Sequence, residues 1–217
     1  MRVMFSIVET AIGCAHKTAV GFMEQFGRYG LTEDREEVKE LYEPLVIHVY
    51  RPDYQPMIAS TSRYSKQFME DYSKQVMGCT DNSFTYTYGN RLRNYNGIDQ
   101  LQNAIDVLNK AQTSRRAILH TWMVEKDLGG EHVPCLQTVQ FIKRDGNVNC
   151  IATFRSNDIL GAWGANAYAL TKLLEVVVDG TFSEMGYLET YSQNAHIYIA
   201  RDADYLEKFL NNNGASQ

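Results

Sequence analysis

The sequence predicts an α+β fold in which a mixed β-sheet packs around a buried helix. Three observations predict it: helix-like and strand-like segments alternate in the first half, strand-like segments dominate the second half, and the most apolar helical segment, 165–179, lies among them. With 217 residues, of which 44% are hydrophobic and 22% charged, the chain is long enough to bury one core. We therefore expect a single domain spanning residues 1–217.

The first half of the chain contains three segments with clear patterns. TEDREEVKELYE (32–43) is rich in charged residues, so we expect a solvated helix or loop. LVIHVYRP (45–52) predicts a strand that ends at its proline. SRYSKQFMEDYSKQVMG (62–78) spaces its apolar residues as a helix does and closes on a glycine, which predicts a helix.

A further helix and strand are predicted in the middle of the chain. NGIDQLQNAIDVLNKAQTSRR (96–116) has four apolar residues on one helical face, namely Ile98, Leu101, Ile105 and Leu108. AILHTWMV (117–124) then predicts a strand.

The second half is predicted to be mostly β-structure. CLQTVQFIKRDGNVNCIATFRS (135–156) holds two strand patterns joined by an Asp-Gly pair, a strong hairpin signal. ANAYALTKLLEVVVD (165–179) predicts a helix buried on most sides. A short strand at 195–199 and a last helix from about Ala203 complete the pattern, and the final NNNGASQ predicts a frayed tail.

Charge and cysteine content argue against several classes of protein. The net charge of −5 argues against a non-specific nucleic-acid binder but leaves room for a locally basic pocket that binds an anionic small molecule. Charged residues interrupt the mildly apolar N-terminus, so we predict neither a signal peptide nor a membrane span. The absence of a CxxC pair argues against zinc and predicts reduced thiols in a cytoplasmic protein; the cysteines are Cys14, Cys79, Cys135 and Cys150.

Cys135 is the first candidate for chemistry. It follows a proline at the start of a strand, and Arg155 lies about as far beyond the hairpin turn as Cys135 lies before it, so the two should fall close to opposite one another. A guanidinium facing a thiol lowers the pKa of that thiol and favours the nucleophilic thiolate. The alternative is a structural cysteine, since free cysteine is among the most buried residue types.

Other polar residues fit either a ligand or an ordinary structural role. Arg115 and Arg116 are either solvated or form a clamp for a phosphate, which the planar guanidinium suits. His196 and Tyr198 share one face of a strand, so they either pack there or offer two hydrogen-bond donors to a sugar hydroxyl. Asn166 either caps the apolar helix or reads a pyrimidine, because an amide can donate to O4 and accept from N3–H together.

Together these segments resemble the thymidylate synthase superfamily, which includes the pyrimidine nucleotide hydroxymethylases. YTYGNRLRNY, TSRRAIL, the Pro-Cys pair, FRSND and AHIY are similar to family motifs and occur in the family's order between Tyr86 and Tyr205. Asn166 follows the arginine of FRSND by eleven residues, as the base-reading residue does in the family. The compactness of the chain and the segments SRRAIL, FRSND and GANAYAL look more like the archaeal-type synthases and the nucleotide hydroxymethylases than like the longer synthases, and the compact archaeal-type synthases are the closest match.

The resemblance implies a reaction. Cys135 is expected to add to C6 of a pyrimidine nucleoside monophosphate, so that C5 attacks a one-carbon unit carried by a reduced pterin, either 5,10-methylenetetrahydrofolate or methylene-tetrahydromethanopterin. It also implies a sheet-mediated homodimer. In that dimer Arg115 and Arg116 are expected to reach the partner's phosphate.

The resemblance further implies a role for each remaining candidate. Arg155 and Ser156 are expected to hold the phosphate, and Tyr88 to join the hydrogen-bond network around the C5 proton. Asp158 and Asn166 are expected to orient the base, and His196 and Tyr198 are expected to bind the 3′-hydroxyl of the sugar.

The first 80 residues depart from the longer members of the family. The family's N-terminal arginine loop and catalytic-glutamate helix are not recognisable there. Glu43 is our candidate for the glutamate, because it precedes a strand about 45 residues before Tyr88. Leu136 replaces the histidine that commonly follows the nucleophile, and no tryptophan precedes Trp122.

Three functions are compatible with these residues. The first is a thymidylate synthase that reductively methylates dUMP, and the second is a 5-hydroxymethylase acting on dUMP, dCMP or CMP. The third is a non-catalytic nucleotide-binding protein on the same fold, which an intact Cys135 disfavours, since binding needs no thiol. The amide of Asn166 favours uracil over cytosine but does not separate methylation from hydroxymethylation.

Overall fold

The computed structural model describes residues 4–79 and 86–211, so the predicted tail lies outside the described residues apart from Asn211. The strands are β1 Phe5–Glu9, β2 Arg28–Leu31, β3 Glu37–Glu40, β4 Leu45–Val49, β5 Ile118–His120, β6 Leu136–Arg144, β7 Asn147–Phe154, β8 Asn157–Asp158, β9 Glu184–Ser192 and β10 Ala195–Tyr198. The helices are α1 Ile12–Phe26, α2 Lys66–Met77, α3 Tyr88–Arg93, α4 Gln100–Lys110, α5 Val124–Asp127, α6 Trp163–Gly180 and α7 Ala203–Asn211.

The strands form two mixed sheets. One has six strands in the order β1-β4-β9-β7-β6-β5, and the other has four in the order β2-β3-β10-β8. In the larger sheet β1 and β4, and likewise β7 and β9, run parallel, whereas the remaining neighbours are antiparallel. The predicted mixed α+β architecture is therefore confirmed.

One face of the six-stranded sheet forms the floor of the core. A row of paired residues across all six strands is almost fully buried: Ile7, Ile47, Thr190, Ala152, Val139 and Leu119. Helix α6 packs on this face, and Trp163 at its start donates a hydrogen bond from Nε1 to Oγ1 of Thr190 at 2.9 Å. The predicted buried helix is confirmed.

The opposite face of the same sheet is open. The neighbouring row of paired residues is only partly buried or exposed: Val8, His48, Glu189, Ile151, Gln140 and Ile118. Because side chains alternate between the two faces of a strand, the sheet presents this mixed apolar and polar surface away from α6.

The β6–β7 hairpin follows the sequence closely. Its turn lies at Asp145 and Gly146, both with positive φ, which is the backbone conformation that an Asp-Gly pair favours in a two-residue turn. The hairpin brings the start of β6 next to the end of β7. Cys135 and Arg155 therefore come together, as predicted.

The prediction of a solvated helix or loop at 32–43 is wrong for its second half. Residues 37–40 form β3, with Val38 and Lys39 buried. Lys39 buries its stem while its ammonium donates to the backbone carbonyl of Glu24 at 3.0 Å and pairs with that residue's carboxylate. A lysine with a partner at its tip can thus occupy a strand whose composition suggests solvent.

Two helix and strand boundaries also differ from the prediction. Helix α4 starts at Gln100, because the carboxylate of Asp99 caps it by accepting from the backbone N–H of Gln102 at 3.0 Å. Ile98 therefore precedes the helix and is exposed rather than on its apolar face. The strand predicted at 117–124 is limited to the three residues of β5.

Candidate active site

The candidate site is a cleft of about 610 Å³ between the two sheets' adjoining ends and the helices α2, α3 and α6. A cavity of this size is typical of a small-molecule site. Eight of the eleven predicted site residues line it: Tyr88, Cys135, Arg155, Ser156, Asp158, Asn166, His196 and Tyr198.

Arg155 holds the loop that carries Cys135. Its backbone N–H donates to the carbonyl of Cys135 at 2.9 Å, and its guanidinium donates to the carbonyls of Pro134 at 3.1 Å and Val133 at 3.0 Å. These bonds leave Nη2 of Arg155 3.7 Å from Sγ of Cys135. The cation that faces the thiol is therefore fixed by the same loop that presents the thiol.

The thiol of Cys135 is not a ready thiolate in this structure. Burial raises its pKa above the ordinary value, and Arg155 lowers the pKa by less than burial raises it, while the carboxylate of Asp158 adds a smaller upward effect. The predicted direction of the arginine's influence is correct. Burial of the sulfur, which the sequence did not indicate, has the larger effect on the pKa.

Tyr88 stands beside the same loop. Its hydroxyl accepts a hydrogen bond from the backbone N–H of Leu136 at 3.2 Å, and burial raises the pKa of its phenol well above the ordinary value. It opens helix α3, which Thr87 caps by accepting from the backbone N–H of Asn90 at 3.1 Å. Tyr88 is thus a neutral hydroxyl group next to the thiol.

Asn166 lies inside helix α6, so it is not the cap that the sequence offered as an alternative; the N-cap is Ala162, which makes no side-chain cap. The amide oxygen Oδ1 of Asn166 accepts a hydrogen bond from the hydroxyl of Tyr72 on α2 at 2.7 Å. Both residues line the cleft. Tyr72 was not predicted as a site residue.

Asp158 uses both carboxylate oxygens within the protein. Oδ1 accepts from the backbone N–H of Gly161 and Oδ2 accepts from Nη2 of Arg201, each at 2.9 Å. The guanidinium of Arg201 also lies 3.5 Å from the centre of the Tyr198 ring, and it pairs with Asp202. Arg201 therefore closes one side of the cleft, a role that the sequence did not indicate.

His196 brings an unpaired polar atom to the cleft. Its ring packs edge-on against Tyr198 with 5.1 Å between centroids, and its buried Nδ1 has no hydrogen-bond partner in the described part of the chain. Burial lowers the pKa of His196, while the nearby Asp158 carboxylate raises it by less. The buried Oδ1 of Asn157, also in the cleft, likewise lacks a partner among residues 4–79 and 86–211. Buried polar atoms are normally paired, so these two indicate a polar ligand.

Comparison with known proteins identifies the family. The family model described as thymidylate synthase matches residues 48–214. The chain belongs to the thymidylate synthase family. A protein of Methanosarcina barkeri named "Putative thymidylate synthase" is 37% identical over 183 residues, which cover 83% of each chain. A protein of the same name from Methanocaldococcus jannaschii is 31% identical over 217 residues, or 95% of this chain and 96% of that one.

Membership of the thymidylate synthase family indicates the general class of reaction for which the cleft is built. Thymidylate synthases are one-carbon transferases that bind a pyrimidine nucleotide and generally use a donor of the methylene-folate kind. The match to the family begins at residue 48, upstream of Tyr86, where the motif resemblance begins. The relatives named here are archaeal, in agreement with the predicted likeness to the archaeal-type synthases.

Three predicted site residues lie outside the cleft of this chain. Glu43 is in the loop between β3 and β4, and the glutamates that line the cleft are Glu33 and Glu40. Glu43 therefore gains no support from the geometry as the family's catalytic glutamate. Arg115 and Arg116 are exposed between α4 and β5, and their side chains make no hydrogen bond or ion pair in the part of the chain that the structure describes.

The residues missed by sequence reasoning share one property, which is that tertiary contacts bring them to the cleft. Tyr72 has the spacing of a buried helix position, and nothing in that pattern distinguishes a hydroxyl that faces a ligand from one that faces the core. Glu40 lies on β3, directly across from His196 on β10, but the surrounding charges suggested a solvated segment. A strand prediction at 37–40 would have indicated that alternate residues face the cleft.

The described residues contain neither a cluster of metal ligands nor a helix that could span a membrane. Within residues 4–79 and 86–211, no group of three or more His, Cys, Asp or Glu side chains could hold a metal ion. No helix in those ranges is long and apolar enough to cross a membrane. The four cysteines are free.

Proposed function

We propose that this protein catalyses the reductive methylation of dUMP to dTMP with a methylene-carrying reduced pterin. The observation that carries the proposal is the contact between Cys135 and Arg155, with 3.7 Å between Sγ and Nη2, inside a cleft that also presents the amide of Asn166. A nucleophile, a cation for an anionic substrate and a base-reading amide thus face one space. Family membership agrees with the general class of reaction.

Cys135 supplies the nucleophile in this proposal. Its thiol first loses its proton to solvent in the cleft; Sγ then bonds to C6 of the uracil, and the electron pair of the C5–C6 double bond moves to C5 and, through C4, to O4. After C5 has gained its new carbon and lost its proton, the bond between that carbon and the donor would have to break. A hydride supplied with the donor would then add to the carbon to complete the methyl group, and departure of Sγ from C6 would restore the C5–C6 double bond. The hydroxyl of Tyr88 belongs to the hydrogen-bond network that surrounds the C5 proton.

The remaining cleft residues hold the nucleotide. Arg155 and Ser156 bind the phosphate, since the Arg155 guanidinium still has N–H groups that no protein acceptor uses among the described residues. Asp158 and Asn166 bind the base, and His196 and Tyr198 bind the sugar hydroxyl. The unpaired Nδ1 of His196 supports the sugar assignment, because a hydroxyl can satisfy it as donor or acceptor.

The cleft also has room and suitable groups for the donor. At about 610 Å³ it extends beyond the base-binding groups to strands β2 and β3 and the loop that joins them. Leu31 on β2 and Val38 on β3 are apolar, and Glu33 and Asp34 in the loop can accept hydrogen bonds from ring N–H and amino groups. The bound reduced pterin supplies the one-carbon unit and, for methylation, the hydride. These four residues hold and orient its ring in our proposal.

The charge of the cleft supports a shared active site. Within one chain it is lined by two arginines, Arg155 and Arg201, and by four carboxylates, namely Glu33, Asp34, Glu40 and Asp158. A nucleoside monophosphate would meet a net negative surface there. The exposed Arg115 and Arg116, supplied by a second copy, would bring the number of arginines to four, so we propose a homodimer with arginines shared across its interface.

The open face of the six-stranded sheet is the proposed dimer surface. It carries Val8, Ile151 and Ile118 in one row, and its outer strand β5 begins two residues after Arg116. Burying this face against its own copy would cover these apolar side chains. It would also carry the paired arginines toward the partner.

The product of the reaction tests the proposal. Purified protein is incubated with dUMP and 5,10-methylenetetrahydrofolate, and the nucleotide is weighed by mass spectrometry, with methylene-tetrahydromethanopterin as a parallel donor. We expect dTMP with one of the two donors and no product from the Cys135→Ser variant. A hydroxymethylated nucleotide identifies the hydroxymethylase instead, and bound but unchanged dUMP with both donors identifies a nucleotide-binding protein.

A further inference from the structure

A hydrogen bond between helices α2 and α6 fixes the amide that faces the base. The hydroxyl of Tyr72 donates to Oδ1 of Asn166 at 2.7 Å, and the other amide atom, Nδ2, makes no hydrogen bond in the described part of the chain. Asn166 lines the cleft, so Nδ2 and the second lone pair of Oδ1 remain for a ligand.

The ring of Tyr72 is itself held in place by a stack of aromatic side chains. Tyr64 stacks on Phe68 with 4.2 Å between centroids and 10° between planes, and Phe68 stacks on Tyr72 with 6.3 Å and 4°. Burial raises the pKa of the Tyr72 phenol, so its hydroxyl keeps the proton that it donates. The donor next to Asn166 is therefore positioned before any ligand arrives.

We propose that Tyr72 determines base specificity by holding the amide of Asn166 in the orientation that matches uracil. The inference rests on the function proposed above. In this orientation Nδ2 donates to O4 of uracil and Oδ1 accepts from N3–H. Tyr72 acts through Asn166 and is thus a positioning residue.

Binding of cytosine requires the amide of Asn166 to rotate so that Oδ1 and Nδ2 exchange places. Cytosine presents an amino group at C4 and an acceptor at N3, so Oδ1 of Asn166 would have to face the amino group while Nδ2 donates to N3. The rotation would place Nδ2 beside the hydroxyl of Tyr72. That hydroxyl has its one hydrogen bond, among residues the structure describes, to Oδ1, so its proton would lose its acceptor in a buried site. An unsatisfied buried donor corresponds to roughly tenfold or more in affinity.

The test measures binding of dUMP and dCMP by isothermal titration calorimetry to wild type, Tyr72→Phe and Tyr64→Phe. Tyr72→Phe removes one oxygen and keeps the stacked ring. Tyr64→Phe is the matched control, since the Tyr64 hydroxyl makes no hydrogen bond among the described residues. We expect wild type and Tyr64→Phe to prefer dUMP by about tenfold or more, and Tyr72→Phe to bring the two affinities close to equal.

A second pair of proteins separates positioning from a general structural effect. In an Asn166→Ala background, Tyr72→Phe should leave the ratio of the dUMP and dCMP affinities unchanged, because the amide through which Tyr72 acts is gone. A Tyr72→Phe protein that binds dUMP and keeps the full wild-type preference overturns the inference alone. So does a change of the ratio that persists in the Asn166→Ala background. Failure of wild type to bind either nucleotide overturns the proposed function together with the inference.

Discussion

Burial and a neighbouring cation act on the thiol of Cys135 in opposite directions. Burial raises the pKa of the thiol more than Arg155 lowers it, so the protein without substrate holds Cys135 mainly as the thiol near neutral pH. Buried sulfur is protected from oxidation and from adventitious electrophiles, which react with the thiolate. The arrangement suits a nucleophile that must add to a ring and later leave it.

The carboxylate analogue of Asn166 should prefer the other base. In Asn166→Asp a protonated carboxyl can donate to N3 of cytosine and accept from its amino group, whereas the amide matches uracil. We expect the ratio of activity on dCMP to activity on dUMP to rise by about tenfold or more, measured as tritium release from C5. Asn103→Asp, on the exposed side of α4, makes the same replacement away from the cleft and should leave the ratio unchanged. A shift of Asn166→Asp toward uracil would contradict the assignment.

At the residue scale, the sequence predicted contacts that depend on strand register and missed those that depend on packing between helices. The placement of Cys135 opposite Arg155 follows from counting residues on either side of a two-residue turn. The contact between Tyr72 and Asn166 joins side chains 94 positions apart on two helices. The angle and offset of two packed helices depend on all their contacts, so local spacing cannot predict such a pair.

Helix α3 reaches Cys135 only because it packs tightly on the end of α2. A methyl group on Gly89 would lie 1.9 Å from the carbonyl oxygen of Gly78 and 2.1 Å from that of Gln75. Gly89→Ala must therefore push α3 away from α2 and displace the adjacent Tyr88. We expect a loss of about 2–3 kcal/mol in the free energy of unfolding, together with a marked fall in turnover.

Gly21→Ala is the control for Gly89→Ala. Gly21 lies within helix α1, and nothing lies within 4 Å of a methyl group added there. The replacement should raise the free energy of unfolding by about 0.5–1 kcal/mol, as alanine does in a helix interior. Chemical denaturation of both variants measures the two effects, and equal stability of Gly89→Ala and wild type would contradict the close packing.

Helices α1, α6 and α7 meet at a buried histidine. His16 packs against Trp163 and Phe209, and its Nε2 donates to the carbonyl of Ile159 at 2.9 Å, next to Asp158 of the cleft. Burial lowers the pKa of His16 from 6.5 to about 4. The imidazole is therefore neutral in the folded protein at neutral pH.

His16 should make the fold sensitive to acid. Between pH 6.5 and about 4 the unfolded chain binds a proton at this histidine and the folded protein does not, so stability is lost as the pH falls through that range. The expected loss from His16 is about 3 kcal/mol in total. His16→Gln keeps a donor for Ile159 without titrating, so its denaturation curves should lose less stability over the same range; His196 contributes in the same direction in both proteins.

His132→Gln is the control for His16→Gln. His132 is exposed, so His132→Gln replaces a histidine without altering the packing of α1 against α6 and α7. If wild type and His16→Gln lose stability in parallel between pH 6.5 and 4, His16 is not the group that titrates.

At the element scale, the sequence predicted α6 and the β6–β7 hairpin well and missed β3. Apolar helices and Asp-Gly turns carry their signal in consecutive residues. Strand β3 depends on a contact between distant segments, in which the ammonium of Lys39 binds the carboxylate and the backbone carbonyl of Glu24 near the end of α1. Without that partner, the charged side chains of residues 32–43 would be more stable exposed to solvent than buried in a strand.

At the scale of the whole molecule, the proposed dimer predicts complementation between two inactive proteins. One variant carries Arg115→Ala and Arg116→Ala, and the other carries Cys135→Ser. In a heterodimer one cleft contains both defects, and the other combines an intact Cys135 with the intact arginines of the Cys135→Ser subunit. Mixing under conditions that exchange subunits should restore one active site per heterodimer.

The exchange itself must be verified for complementation to be informative. Differently tagged subunits allow the heterodimer to be isolated by two affinity steps before its turnover is measured. Activity no greater than that of the two parent variants, in a heterodimer shown to have formed, would contradict sharing of Arg115 and Arg116. A protein that remains monomeric at all concentrations, by sedimentation, would contradict the dimer itself.

The release of tritium from C5-labelled dUMP tests the central claim most directly, since it reports addition at C6 followed by loss of the C5 proton. In the presence of the methylene donor, wild type should release tritium into water. Cys135→Ser should bind dUMP and fold as wild type does but release less than about a tenth as much, because an alkoxide is far harder to form than a thiolate at neutral pH. A Cys135→Ser protein that keeps a tenth or more of the wild-type release, or a wild-type protein that binds dUMP and releases none with either donor, would contradict the account.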